Sequence, residues 1–399
     1  MKENHLTQLA ILEAKSAAQM YGRDCRVVRW AFAYRRLRNK IWWQWRRKMM
    51  SCFLSAPQKD DCLHVLWHLR GGMGDVAAAR LAVLAMRERL PDAVFYYYTD
   101  SPAAASAVFE ENGQNIFLPS QEPAFYKYDL SFELCQSFRL MHANEKRLAA
   151  LQADLLPLLE EMKNRQKLFS FFLDDSYLME DLLGRYMYRQ GLTRLDLQSY
   201  LSGLDFDTQA TPALPVELTD ENKLEKFGLK GKPYLTIHDG IDATFRLGGQ
   251  RALKCWSVEK WKELVRQIKA QYPHIVVVQL GGKNSQKFDF ADVSLVGQTA
   301  LADLPALLQH SLLHIDGESG LVQLGRYLKT ICIVLFGPTD KAYFSLAKNI
   351  NLKAEKCGSC MWLLGPKWHT ECRLGYGVCQ NMQAISVAQV LDAVKAQLK

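Results

Sequence analysis

IDGESGL, at residues 315–321, and VLFGPTD, at 334–340, each carry an apolar strand pattern directly into a Gly-containing turn. In α/β proteins a turn of this kind opens a helix, and the free backbone N–H groups there bind phosphate. Both stretches therefore predict an α/β domain that binds a phosphate-bearing ligand. Four cysteines follow them: Cys357, Cys360, Cys372 and Cys379.

The spacing of these cysteines is Cys-x2-Cys-x11-Cys-x6-Cys. In an intracellular chain, thiolates paired at short spacing are metal ligands more often than disulfides. Four thiolates suit zinc or a single iron in a tetrahedral site. We predict one structural metal ion per chain, iron or zinc, between which spacing does not choose. Two disulfides are the alternative, and they would require an oxidising compartment.

Length and composition set the class of protein. A chain of 399 residues predicts two domains, because one compact core rarely grows so large. With 49% hydrophobic and 23% charged residues, the composition is typical of a globular protein. The first residues lack the pattern of a signal peptide, and no run of about 20 apolar residues occurs. We therefore expect a cytoplasmic protein.

Residues 1–60 form a predicted basic helical N-terminal extension. Large apolar residues recur in it at helical spacing, mostly separated by Arg and Lys: Trp30, Tyr34, Leu37, Ile41 and Trp45. One interpretation is a helix that packs this stripe on the next domain. The other is a helix that lies on the inner membrane, where cations meet anionic lipid. Nothing else in the chain favours nucleic acid, so we expect no nucleic-acid partner.

From residue 62 onward, strand and helix patterns alternate in two series, separated by a Pro-bearing linker at 208–222. Residues 140–203 are predicted to be mainly helical. The arrangement predicts two Rossmann-like domains that face each other across a cleft. The predicted parts are the N-terminal extension (1–60), an N-terminal Rossmann-like domain (61–215), a C-terminal Rossmann-like domain (216–356), a cysteine finger (357–380) and a C-terminal helix (381–399).

The first series contains the turn Gly71-Gly72-Met73-Gly74-Asp75. Its glycines permit a sharp turn with room for a ligand above the strand end. An acid here would repel a pyrophosphate, which favours Asp75 as a general base facing an acceptor hydroxyl, with the three residues before it lining the acceptor loop. The alternative is that Asp75 caps the helix, a role that Asp performs well.

The second series carries a loop with basic residues that could bind the negatively charged part of a ligand. Arg246, Arg251 and Lys254 follow the strand pattern YLTIHDG and precede a helix that starts near Ser257. An ammonium beside a helix N-terminus can bind a diphosphate. Solvated surface cations are the alternative. The turns Gly317–Gly320 and Gly337–Thr339 are further phosphate-binding candidates.

Five motifs in order resemble glycosyltransferase family 9, the heptosyltransferases of Gram-negative bacteria. They are LRGGMGD (69–75), RALKCWSVEKWKEL (251–264), VGQTALADLPALL (296–308), IDGESGLVQL (315–324) and VLFGPTD (334–340). The resemblance covers residues 62–350. It implies a GT-B fold, an ADP-heptose or related nucleotide-sugar donor, and inversion at the anomeric carbon.

The resemblance also implies roles for single residues. Asp75 takes the position of the catalytic aspartate, and Lys254 that of the phosphate-binding lysine. Ser319, Gly320 and Leu321 match the turn that grips the diphosphate, with Thr339 as a further donor-side residue. Glu318 stands where the family commonly has Asp, and Gln323 where many members have His. The expected scheme needs no catalytic divalent metal, because a lysine and helix N-termini neutralise the leaving group.

The cysteine finger resembles the metal finger of bacterial autotransporter heptosyltransferases. This resemblance favours iron over zinc as the bound metal. Members of that subgroup modify Ser or Thr and usually carry an N-terminal β-domain, which the basic segment replaces here. The expected acceptor is therefore a lipopolysaccharide core sugar, another surface glycan, or Ser/Thr of an autotransporter protein. A homo-oligomer is a further expectation. The rival functions are a GT-B-like sugar-nucleotide epimerase and a non-catalytic scaffold protein.

Overall fold

The computed structural model describes residues 60–100, 102–110, 114–118, 125–169, 186–240, 252–361 and 368–398, with a few isolated positions outside these ranges. Arg246, Arg251 and most of the N-terminal extension lie outside the described residues. The strands are β1 (His64–Leu69), β2 (Val94–Thr99), β3 (Asn115–Phe117), β4 (Leu130–Leu134), β5 (Phe138–Ala143), β6 (Tyr234–Ile237), β7 (Val276–Gln279), β8 (Val293–Ser294), β9 (His314–Gly317), β10 (Cys332–Phe336) and β11 (Ile350–Lys353). The α-helices are α1 (Met73–Arg89), α2 (Pro102–Ala105), α3 (Glu145–Leu151), α4 (Leu156–Leu168), α5 (Arg194–Ser202), α6 (Val216–Thr219), α7 (Val258–Gln271), α8 (Leu304–Gln309), α9 (Gly320–Gly325), α10 (Lys341–Phe344), α11 (Gln380–Ala384) and α12 (Val387–Gln397).

The chain divides into two compact units. Unit 1 comprises Met1–His68, Ala82–Tyr98 and Gln121–Phe206. Unit 2 comprises Leu69–Leu81, Thr99–Ser120 and Asp207–Lys399. The turn that carries Asp75 therefore belongs to the same unit as the two turns near the C-terminus.

The second sheet has the strand order β11-β10-β9-β6-β7-β8, and every neighbouring pair is parallel. If these strands are numbered 1 to 6 along the chain from β6, the order read from β8 to β11 is 3-2-1-4-5-6, which is that of the dinucleotide-binding fold. The order reverses between β6 and β9, and ligands of such sheets bind at this reversal, beyond the carboxyl ends of the strands. The fold thus places the residues after β6 and after β9 at a ligand site.

Helix α7 shows how the sequence builds this unit. Trp261, Leu264, Val265 and Ile268 recur at helical spacing, and all four are buried. Ser257 caps the helix, because its hydroxyl accepts from the Lys260 N–H at 3.2 Å. The helix therefore begins where the sequence predicts, directly after the loop that carries Lys254.

The first sheet has the order β3-β2-β1-β4-β5, and β4 pairs with β5 in antiparallel fashion. The prediction of mainly helical structure from residue 140 is wrong at its start, since β5 extends to Ala143. The hairpin is closed by a bond from the Cys135 N–H to the Ser137 carbonyl at 3.1 Å. After β2, the described residues form one short helix, Pro102–Ala105.

Four apolar residues of the N-terminal extension are helical and exposed. The exposed fractions are 77% for Trp30, 66% for Tyr34, 58% for Leu37 and 56% for Ile41. Trp45 lies outside the described residues. None of the helices in the described part of the chain combines the length and hydropathy that a membrane crossing needs.

Candidate active site

The turn before helix α1 holds Asp75 at the helix start. Gly71 has φ +94°, a left-handed conformation that favours glycine, and a Cβ there would overlap the Asp75 carboxylate. Asp75 Oδ2 accepts from the Gly72 N–H at 3.0 Å. Since α1 begins at Met73, this bond satisfies one of the N–H groups at the helix start. The carboxylate is thus held in a defined position, where it caps helix α1.

A contact between two glycines joins this turn to the phosphate-binding candidate at 318–321. A Cβ built on Gly74 would lie 3.0 Å from Gly320 Cα, and a Cβ on Gly320 would lie 3.0 Å from Gly74 N. The Tyr327 hydroxyl donates to the Ala77 carbonyl at 2.8 Å, which ties α1 to the segment after α9. The structure therefore brings the Asp75 turn and the 318–321 turn together within unit 2.

Arg80 anchors this part of α1. Its guanidinium donates to the carbonyls of Val108 and Ala213, each at 3.0 Å, and lies 5.5 Å from the ring centroid of Tyr327. Only 5% of Arg80 is exposed, so its hydrogen bonds compensate the burial of a charge. Nothing in the sequence marks Arg80 as an anchor, because a lone Arg in a helix usually faces solvent.

Lys254 reaches the same turn from the loop before α7. Its ammonium donates to the Glu318 carbonyl at 3.0 Å, and the side chain is half-buried. Gly317 and Gly240 pack closely here, since a Cβ on Gly317 would lie 3.4 Å from both Gly240 Cα and the Lys254 carbonyl. The ends of β6 and β9 and the Lys254 loop therefore converge, as the strand order requires.

Ser319 contributes mainly through the shape of the turn. Its hydroxyl accepts from the Leu321 N–H at 3.2 Å and donates to the Asp316 carboxylate. The residue is 8% exposed. These two bonds cap α9 and engage the Ser319 hydroxyl within the turn, so a phosphate here would meet backbone N–H groups other than that of Leu321.

Beneath the turn lies a buried charge pair that sequence reasoning missed. His238 Nδ1 lies 2.9 Å from Asp316 Oδ2, and His314 Nε2 lies 3.2 Å from the same oxygen. Burial opposes the charged form of His238, but the charge and hydrogen bond of Asp316 outweigh it and raise the pKa of His238. Burial likewise disfavours the Asp316 carboxylate, yet the two histidines lower the pKa of Asp316. The sequence offers one indication of this pair, because it places polar residues at the ends of two strands that prove to be adjacent and parallel.

The third Gly-containing turn faces the cysteine finger. A Cβ on Gly337 would lie 3.1 Å from Met382 Cβ and 3.4 Å from Cys379 Sγ. Thr339 is 1% exposed, and its carbonyl accepts from the Ser359 hydroxyl at 3.4 Å. The Cys360 N–H donates to the Pro338 carbonyl at 3.0 Å. These contacts give the turn a role in holding the cysteine finger.

The four cysteines of the finger are free thiols, and none of them forms a disulfide. Burial raises the pKa of Cys360 to about 11, and the neighbouring thiols of Cys379, Cys372 and Cys357 add to the shift. The buried Asn381 side chain orders the start of the finger, accepting from the Lys356 and Cys357 N–H groups at 2.9 Å. The donor set fits a tetrahedral S4 metal site in its chemistry. In the part of the chain that the structure describes, no three His, Cys, Asp or Glu side chains are arranged to hold a metal ion.

Residues 195–375 match the family model described as glycosyltransferase family 9 (heptosyltransferase). No curated protein sequence matches the chain significantly.

Solved structures share the fold. The glycosyl transferase family 9 structure from Veillonella parvula DSM 2008 is 14% identical, with a TM-score of 0.50, over 86% of this chain and 99% of that one. The iron-containing dodecameric glycosyltransferase TibC from enterotoxigenic E. coli H10407 is 13% identical, with a TM-score of 0.54, over 86% of this chain and 78% of that one. TibC in complex with ADP-D-beta-D-heptose is 12% identical, with a TM-score of 0.53, over 86% and 77%.

At such identities the likeness concerns the fold, and it confirms the predicted α/β, GT-B-like class with two Rossmann-like sheets. The family match falls on the part of the chain that contains the Lys254 loop and the 318–321 turn. Residues 195–375 therefore match the glycosyltransferase family 9 domain, and the chain is a glycosyltransferase.

Proposed function

We propose that the chain transfers heptose from ADP-heptose to an acceptor hydroxyl with inversion at the anomeric carbon. The observation that supports this most is the convergence of three groups in unit 2. The Asp75 turn touches the 318–321 turn through Gly74 and Gly320, and Lys254 bonds to the same turn. A carboxylate held in one turn and a cation bound to the adjoining turn suit proton removal at one end and stabilisation of a diphosphate at the other.

In the proposed reaction the acceptor oxygen attacks C1 of the heptose, and Asp75 takes the proton of that hydroxyl. The bond between C1 and the diphosphate oxygen breaks, and ADP leaves with the electron pair. Lys254 and the N–H groups at the start of α9 stabilise the charge that develops on the diphosphate. Because these groups neutralise the charge of the leaving diphosphate, the scheme requires no catalytic divalent ion.

Incubation of the purified protein with ADP-heptose tests this proposal. A transferase releases ADP only when an acceptor is present, apart from slow hydrolysis. The epimerase alternative predicts an altered nucleotide sugar without any acceptor, and a scaffold protein would leave the donor unchanged. Mass spectrometry of the products separates the three. Supplying lipopolysaccharide core, other surface glycans and Ser/Thr-containing autotransporter segments in parallel identifies the acceptor class.

We also propose that the cysteine finger binds one metal ion, iron in preference to zinc. The support is the set of four free thiols at this spacing, together with the likeness in fold to the iron-containing TibC structures. Elemental analysis of the protein, purified without added metal, should give about one ion per chain. The Cys357→Ser/Cys360→Ser variant should lose it, whereas Cys135→Ser, a cysteine outside the finger, should keep it. Absence of metal together with two disulfides would refute the site.

A peripheral contact with the inner membrane is the remaining proposal. It rests on the exposure of Trp30, Tyr34 and Ile41 among many Arg and Lys residues. Anionic lipid contributes about 1 kcal/mol per basic residue near the surface, and exposed aromatic residues add interfacial burial. The full chain should co-sediment with phosphatidylserine vesicles in a salt-sensitive way, and the Trp30→Ser/Ile41→Ser variant should do so less. Equal binding by both proteins would mean that the stripe does not meet lipid.

A further inference from the structure

The loop that carries Lys254 is attached to the cysteine finger and to the residues just after it. The Leu253 N–H donates to the His369 carbonyl at 2.8 Å. On the other side of Lys254, the Gln383 side-chain amide donates to the Cys255 carbonyl at 3.3 Å. Both neighbours of Lys254 are therefore held by residues more than 100 positions further along the chain. The loop itself is a short turn, closed by a bond from the Cys255 N–H to the Ala252 carbonyl at 3.0 Å.

The finger also supplies an aromatic ring beside the lysine. The Lys254 ammonium lies 5.8 Å from the ring centroid of Trp368, within the range of a cation–π interaction. Trp368 in turn packs on the ring of His369, with 3.6 Å between the centroids. His369 is buried, so it provides a firm base for the indole. The ammonium is thus near the indole and also donates to the Glu318 carbonyl at 3.0 Å.

We propose that Trp368 is a positioning residue of the donor site, acting through Lys254, and that the cysteine finger is thereby a structural part of that site. An ammonium has three N–H donors, and the bond to Glu318 uses one of them. The indole restricts where the flexible lysine side chain can swing, so that its other donors point to a diphosphate. Such preorganisation raises affinity, because less side-chain freedom is lost on binding. The proposal rests on the proposed function, since it takes Lys254 to be the diphosphate ligand.

The test is a double-mutant cycle read by calorimetry with ADP, on the full chain. Trp368→Leu removes the aromatic ring but keeps apolar bulk, and it should weaken ADP binding about three- to tenfold. Trp368→Phe keeps a ring face and should retain most of the affinity. Lys254→Met/Trp368→Leu should bind ADP no more weakly than Lys254→Met alone, within about twofold, because the indole acts through the ammonium. Tyr376→Leu is the matched control, since Tyr376 is an aromatic residue of the same finger that is 51% exposed.

Thermal melting and metal content identify any variant that fails to fold. If Trp368→Leu fails to fold, the ADP affinity of Trp368→Phe can still be compared with that of the wild type. Unchanged ADP affinity in Trp368→Leu would overturn the inference. Additive losses in the double variant would overturn it too, because they would assign Trp368 a merely structural role or an independent contact. In both cases the loss caused by Lys254→Met alone would leave the proposed function standing. A wild-type protein that binds neither ADP nor ADP-heptose would refute the proposed function and this inference together.

Discussion

Asp75→Asn should lower the rate of heptose transfer about 10²–10⁴-fold while leaving ADP affinity and thermal stability near the wild-type values. The substitution is chosen for the geometry of the turn. Asp75 Oδ2 accepts from the Gly72 N–H at 3.0 Å, and the amide oxygen of Asn can accept the same bond. The variant therefore keeps the helix cap and removes the group that takes the proton. Steady-state kinetics with saturating ADP-heptose measures the effect.

Asp196→Asn provides the matched control for this prediction. In helix α5, Asp196 Oδ2 accepts from the Thr193 N–H at 2.7 Å, three residues earlier, as Asp75 does in α1. Its conversion to Asn changes the charge and keeps the cap oxygen in the same way, but at a helix that carries none of the proposed site. We expect Asp196→Asn to be nearly neutral for turnover. Asp75→Asn activity within a few-fold of wild type would reduce Asp75 to a helix cap.

Lys254→Met should weaken ADP binding about 10- to 100-fold and slow turnover as well. The alkyl chain of Met replaces that of Lys, so the variant loses the charge with little change in packing. A hydrogen bond to a charged partner contributes about 1.5–3 kcal/mol, and each 1.4 kcal/mol is about a factor of ten in affinity. Calorimetry with ADP measures the binding constant directly.

Lys262→Met is the control for charge alone, because Lys262 is an exposed lysine of helix α7, eight residues along the chain. It should bind ADP as the wild type does. Lys254→Arg should recover part of the affinity, since it restores a cation at the turn although with a different shape. An ADP dissociation constant that Lys254→Met leaves unchanged would remove Lys254 from the donor site.

Local signals in the chain predict much of the fold. The strands that carry the site, β1, β6 and β9, end at glycine-containing or polar turns that the sequence displays openly. The hydrophobic spacing of α7 and the cap at Ser257 predict the helix and its start. The helical prediction over β5 failed because the side chains of this strand are mostly only half-buried, so its apolar residues follow no clear period.

The sequence by itself determined the α/β class, the turn that holds Asp75, the turn at 318–321 and the nearby lysine, because glycine turns and apolar periods are local properties. Only the tertiary structure decided how these parts meet. The contact of Gly74 with Gly320 and the bond from Tyr327 to Ala77 join residues about 250 positions apart. The cation–π contact of Lys254 with Trp368 and the pair of His238 with Asp316 are also long-range. Such contacts depend on how separate strands and loops pack against each other, and no periodicity within one segment records that packing.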